Sequence, residues 1–271
     1  LGKISLVLGL EINAPVYGIL EALARLKKNV DSLGVGNLGR QCNTAIPGST
    51  AVINTKLVME EGIIWDGALT YEGDKIVQVG WANEVTIPAD AEVYDAQGLY
   101  TAPGLIDIHN HGGGDWLFAE NPIYCSEYFL KHGETTILPT FYHNLDLKAM
   151  LEGAQKVREA SKTGAGKVMD GLYMEGPFMD LAGSFQNELK WSGAVKEEDY
   201  TQLIEGLGDM VRIWAIDPDR ENIESFMAYA KEKTPGVIFA HGHSRARFDQ
   251  IQPVSVRAFG VLGCNDFNDI P

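Results

Sequence analysis

Three short segments gather the residue types that bind metal ions. The first ends in His109-Asn110-His111, the second in Glu175 and the third in His241-Gly242-His243. Each follows an apolar run bounded by turn-forming residues, which reads as a buried strand. Side chains alternate along a strand, so His109 and His111 point to the same side. Two neighbouring imidazoles suit a divalent cation, and a hydrogen-bonded pair of loop histidines is the other reading. Glu175 reads as a metal ligand or as a cap for the next helix, and Gly176-Pro177 turns the chain abruptly behind it. The second histidine pair is open to the same two readings as the first. Three strand ends that all supply His or Glu fit one metal site fed by several strands.

The elements that must position these residues alternate in type. The pattern predicts strands over 104–109, 135–140, 168–174, 211–216 and 236–241, with helices over 122–132, 146–161, 197–206 and 221–232 between them. Strands alternating with helices imply parallel βαβ units. Five such units in order predict an α/β fold, a partial (β/α)8 TIM-type barrel of about five or six strands, the sixth near Ser255–Val261. A barrel places its ligands at the C-terminal ends of the strands, where all three segments stand. Gly112-Gly113-Gly114 lacks the spacing of a dinucleotide-binding loop, which argues against a doubly wound sheet. Before the barrel, short strands over Ala51–Val58, Gly67–Tyr71, Ile76–Val79 and Val93–Asp95 predict a small β-sandwich-like domain, with a hairpin signal at Glu72-Gly73-Asp74. The expected division is residues 1–50, an unassigned helix (15–33) and loop; 51–101, the β domain; 102–251, the barrel portion; and 252–271, an unassigned tail.

Bulk properties narrow the partners. A formal net charge of −15 over 271 residues argues against nucleic acid and anionic membranes. It also offers no general attraction for a phosphate, which would need a local basic site or a helix N-terminus. Cys42, Cys125 and Cys264 are far apart and read as free thiols in a reducing compartment. No segment reaches the roughly 18 apolar residues of a membrane helix, and Leu1–Leu10 has no basic flank of a signal peptide, so a cytoplasmic protein is expected.

The segment PGLIDIHNHGGG (Pro103–Gly114) resembles the first-strand motif of the amidohydrolase superfamily. GETTILPT (Gly133–Thr140), YMEGPFM (Tyr173–Met179) and AHGHSRA (Ala240–Ala246) resemble, in order, motifs of the N-acetylglucosamine-6-phosphate deacetylase family. Ile53–Gly80 is similar to the opening β strands of that family, and the resemblance spans about residues 51 to 250. It implies metal-dependent hydrolysis of the acetamide of N-acetylglucosamine 6-phosphate, a phosphorylated amino sugar, to glucosamine 6-phosphate and acetate. Glu175 and His243 match the ligands of the main metal, and His109 and His111 match the pair that holds a second metal in some members. Zn2+ is the first choice of cation, with Fe2+, Mn2+ and Co2+ as alternatives. A homodimer is the family habit. The superfamily also holds enzymes acting on other small amides, and a non-catalytic truncated barrel or metal-binding remnant is a third reading.

Several features depart from the family. No segment matches its later histidine ligand, and no residue matches the aspartate of its last barrel strand, so the catalytic acid/base is unassigned and weak or no turnover is expected. Gly183-Ser184-Phe185 stands where many members have Gly-Ala-His. Both ends of the chain therefore read as truncated or rearranged, and Asp266 and Asp269 are given no role. His143, just past the second strand, is the candidate substrate contact, with a surface histidine as the alternative. His241 has no family role. His132 ends a helix, where a cation suits the dipole. Trp116, Phe118 and Phe178 line a pocket or simply pack. Asp217 and Asp219 contact substrate or serve Asp-Pro-Asp turn chemistry.

Overall fold

The computed structural model describes residues 6–8, 48–73, 75–180 and 190–247. The expected helix over 15–33, the strand near Ser255–Val261, the Gly183–Phe185 segment and the tail aspartates lie outside these residues. By their contacts the described residues fall into two units. One holds those within 1–107, 123–136 and 160–168; the other holds those within 108–122, 137–159 and 169–271.

The first unit is built on a six-stranded sheet of β1 (Leu6–Leu8), β2 (Ser49–Met59), β3 (Gly62–Glu72), β4 (Lys75–Trp81), β5 (Glu92–Asp95) and β6 (Tyr100–Pro103), in the order β1-β6-β2-β3-β4, with β5 also on β2. The β2–β3–β4 meander follows the expected strands, each longer than its apolar run. Strand β2 changes partner along its length, pairing β5 at Thr50–Ile53 and β6 at Lys56–Leu57. The change falls at Asn54, whose φ of 53° breaks the β2–β3 register between Val52 and Thr55. Asn tolerates this left-handed backbone, and its side-chain amide donates to Asp95 Oδ1 at 2.8 Å. Val52, Leu57, Leu69 and Ala96 form the core, with Ile64, Tyr71 and Tyr94 packed on it. Strands β1 and β6 carry no strong alternation and are absent from the sequence expectation.

Strands β7 (Leu105–Asn110), β10 (Glu134–Tyr142), β11 (Leu172–Glu175), β12 (Val211–Ile216) and β13 (Ile238–His241) form one sheet in the order β13-β12-β11-β10-β7. Strands β10 to β13 are parallel. This is the expected run of a TIM-type barrel wall. A two-stranded ribbon, β8 (Gly112–Gly113) and β9 (Trp116–Leu117), follows β7. A Cβ on Gly112 would stand 2.1 Å from the Trp116 carbonyl oxygen, so the ribbon requires glycine there. Strand β11 begins at Leu172 rather than 168, because a 3-10 turn occupies Gly164–Val168 and Gly171 has φ 122°.

Helices α1 (Pro122–Leu130), α2 (Leu147–Ala160), α3 (Glu197–Leu207) and α4 (Ile223–Lys233) connect the strands. Tyr200, Leu203, Ile204 and Leu207 of α3, and Ile223, Phe226, Met227 and Ala230 of α4, are buried at i, i+3, i+4, i+7 spacing. Phe226 anchors the second unit, with ring centroids of Phe178 at 4.8 Å and Trp214 at 5.2 Å. Among the described residues no helix is long and apolar enough to cross a membrane.

Candidate metal centre

His109 is the last residue but one of β7, His111 directly follows the strand, Glu175 ends β11 and His243 lies two residues past β13. All four side chains meet. Glu175 Oε2 is 2.9 Å from His111 Nε2, and Oε1 is 2.9 Å from His243 Nε2 and 3.4 Å from His109 Nε2. One ligand atom each of His109, His111 and Glu175 lies within 4.8 Å of the others. Two ligand atoms on a tetrahedral Zn2+ stand about 3.3 Å apart, given bond lengths of about 2.0–2.1 Å. The His109 contact at 3.4 Å has that spacing, and the His111 and His243 contacts at 2.9 Å are shorter, at hydrogen-bond length.

The local fold holds each imidazole. Asn110 N–H donates to Thr140 Oγ at 2.8 Å, Gly112 N–H to Asn110 Oδ1 at 3.0 Å and Phe118 N–H to the His111 carbonyl at 2.9 Å. His111 Nδ1 lies 3.3 Å from the Thr140 carbonyl oxygen. A carbonyl only accepts, so Nδ1 carries the proton in this contact. In the neutral tautomer this leaves the Nε2 lone pair facing Glu175 Oε2, two acceptors toward each other. A metal cation between them resolves that conflict, as does a second proton on Nε2, and a backbone carbonyl behind a ligating histidine is a common arrangement at metal sites. His109 packs on Tyr173 at 4.6 Å between ring centroids, and His111 on Tyr142 at 4.8 Å.

Glu175 is almost wholly buried. Burial pushes its pKa up, but hydrogen bonding from His109, His111 and His243 outweighs that and holds the carboxyl well below the usual range. His243 takes φ 45°, a left-handed backbone rare for a side-chain-bearing residue.

The other sequence candidates fall around this cluster. His143 is 2% exposed, its ring 6.0 Å from that of His243. Burial first, then His243, lowers its pKa. His241 is also buried, which lowers its pKa. His132 Nδ1 lies 2.8 Å from the Tyr128 carbonyl, at the end of α1. Phe118 and Phe178 are core residues, whereas Trp116 is exposed. A cavity of about 360 Å³ opens beside Phe178, Lys190, Trp191, Lys196 and Arg220, and none of the four converging side chains lines it. Thr140, Tyr142 and Tyr173 carry no sequence signal of their own. Their place one strand from a histidine is visible only once the sheet order is known.

Comparison with known proteins agrees with the architecture. No family model matches the chain, and no curated protein matches it. Among solved structures, the N-acetylglucosamine-6-phosphate deacetylase of Pasteurella multocida is similar, with a TM-score of 0.64 and 25% identity over 78% of this chain and 55% of its own. The Mycobacterium smegmatis deacetylase has a TM-score of 0.64 and 21% identity over 81% and 56%. That of Thermotoga maritima has a TM-score of 0.55 and 20% identity over 76% and 52%. The chain thus spans about half the length of these hydrolases and shares their amidohydrolase-type fold.

Proposed function

We propose that this chain carries the metal centre of an amide hydrolase that releases acetate from N-acetylglucosamine 6-phosphate or a close relative. The observation that carries the metal is His111: its Nδ1 faces the Thr140 carbonyl while its Nε2 faces a buried carboxylate. The substrate class is supported by the fold shared with three deacetylases and by the motifs at the same strand ends.

In this reading His109, His111, Glu175 and His243 are the ligands. Three neutral imidazoles and one carboxylate suit Zn2+ first, with Fe2+, Mn2+ and Co2+ also compatible with nitrogen and oxygen donors. The bound cation supplies polarisation of an amide carbonyl and acidification of water. The chain's own residues prepare the site. Thr140 fixes the tautomer and orientation of His111. Tyr173 and Tyr142 limit the rotation of His109 and His111. His143 closes the His243 side of the cluster and is the candidate to contact substrate there.

The test is metal content of the purified chain, with Glu175→Gln and His243→Asn beside it, and acetate release from N-acetylglucosamine 6-phosphate by the same samples. Stoichiometric metal in the parent, lost in both variants, together with slow acetate release, is the expected result. Metal without acetate would retain the centre and reject the deacetylase. Neither metal nor acetate would reject both.

A further inference from the structure

We infer that Asp217 is a positioning residue for the metal centre: through Ser244 it fastens the loop that presents His243 to Glu175. The inference rests on the metal reading above and extends it to a residue outside the ligand set. Asp217 follows β12 and is 5% exposed. Its Oδ1 accepts the Asp219 N–H at 3.0 Å, a local turn bond. The same oxygen accepts the Ser244 hydroxyl at 2.5 Å, across 27 residues of sequence. A turn does not need that second bond. Ser244 directly follows His243, and its Oγ also accepts the Ala246 N–H at 2.9 Å.

The surrounding bonds tie three strand ends together. Asp217 N–H donates to the Phe178 carbonyl at 3.0 Å, linking the β12 and β11 ends. Asp180 N–H donates to the His243 carbonyl at 2.9 Å, linking the β11 and β13 ends. Ser244–Asp217 closes the third side. His243 within this frame holds φ 45°, a left-handed backbone that histidine adopts more often than most residues but still uncommonly. Without the Asp217 acceptor, Ser244 is released and His243 can relax to a common backbone conformation. Its Nε2, now 2.9 Å from Glu175, then leaves the cluster. Burial raises the Asp217 pKa against the Ser244 and Asp219 bonds, so the carboxyl is kept inside at a cost.

The test compares Zn2+ affinity, by chelator competition, in the parent, Asp217→Ala, Asp217→Asn and Ser244→Ala, with the visible spectrum of each Co2+-loaded protein. Asp217→Ala and Ser244→Ala should bind roughly 10–100-fold more weakly, the usual loss for a partner outside the ligand shell. Their Co2+ bands should shift as one imidazole is lost. Asp217→Asn keeps the Oδ1 acceptor and should stay within about threefold of the parent. Parental affinity and spectrum in Asp217→Ala would overturn the inference. So would a loss in Asp217→Asn as large as in Asp217→Ala. Should Asp217→Ala fail to fold, Ser244→Ala decides by the same criteria. A parent that binds no metal would overturn the centre itself and this inference with it, an outcome distinct from normal binding in both.

Discussion

Glu134 offers a test of the fold that needs no metal. It opens β10, the strand whose far end holds Thr140 against His111. Burial, with the Asp107 carboxylate adding to it, raises its pKa from the ordinary 4.5 to about 7. Its Oε2 is buried with no hydrogen-bond partner among the described residues. In the unfolded chain Glu134 loses its proton near 4.5, so between there and about 7 the folded protein binds the extra proton. Stability therefore falls as pH rises through that window and stays reduced above it. At about 1.4 kcal/mol per pH unit the gap converts to about 3.4 kcal/mol. The carboxyl is only partly buried, so solvent screening reduces this to roughly 1–2 kcal/mol. Glu134→Gln keeps the shape and removes the charge. Urea unfolding at pH 8 should show the variant more stable than the parent by roughly 1–2 kcal/mol, and at pH 5 the gain should largely vanish. Asp107→Asn should act in the same direction and less. A gain equal at both pH values, or none at pH 8, would refute the reasoning.

Two other outcomes follow from the packing and the ligand set. Phe226 is fully buried among Phe178, Trp214, Tyr200 and Phe239, so Phe226→Ala should cost about 3–5 kcal/mol in chemical denaturation. Histidine ligands must be deprotonated at the ligating nitrogen, so Zn2+ affinity should fall steadily on acidification below pH 7, measured by competition with a chelator of known proton affinity.

The strand ends are legible in the sequence because each is an apolar run that stops at a polar residue of special type. His109, Glu175 and His243 are visible in this way, as is the parallel run of β10, β11, β12 and β13. Alternation along one strand says which way a side chain points and nothing about distance to the next strand. The resemblance assigns His109 and His111 to a second ion, and the sequence does not show that both also contact the carboxylate that meets His243. Asp217 shows a similar limit. Asp-Pro-Asp is turn chemistry in sequence, and the Asp219 bond is that turn, but the Ser244 bond depends on β12 and β13 being neighbours. Strands β6, β8 and β9 are too short for any period to show, and their pairing comes from tertiary context.

A prediction for the number of ions follows from the proposed ligand set. Both Glu175 oxygens face imidazole nitrogens, so two ions could in principle share the carboxylate. Charge argues for one. Three neutral imidazoles and one carboxylate offset a single positive charge. A second dication at the roughly 3.5–4 Å separation of two-metal sites would add repulsion on the order of 15–20 kcal/mol at an effective dielectric of about 20. No second carboxylate belongs to the compact ligand group among the described residues to balance it. Titration of metal-free protein with Zn2+ should therefore saturate at about one equivalent, and the Co2+ protein should show the spectrum of isolated ions without magnetic coupling. Saturation at about two equivalents with coupled Co2+ would mean that an anion from outside this group joins the centre, and the four-ligand site would have to be redrawn around it.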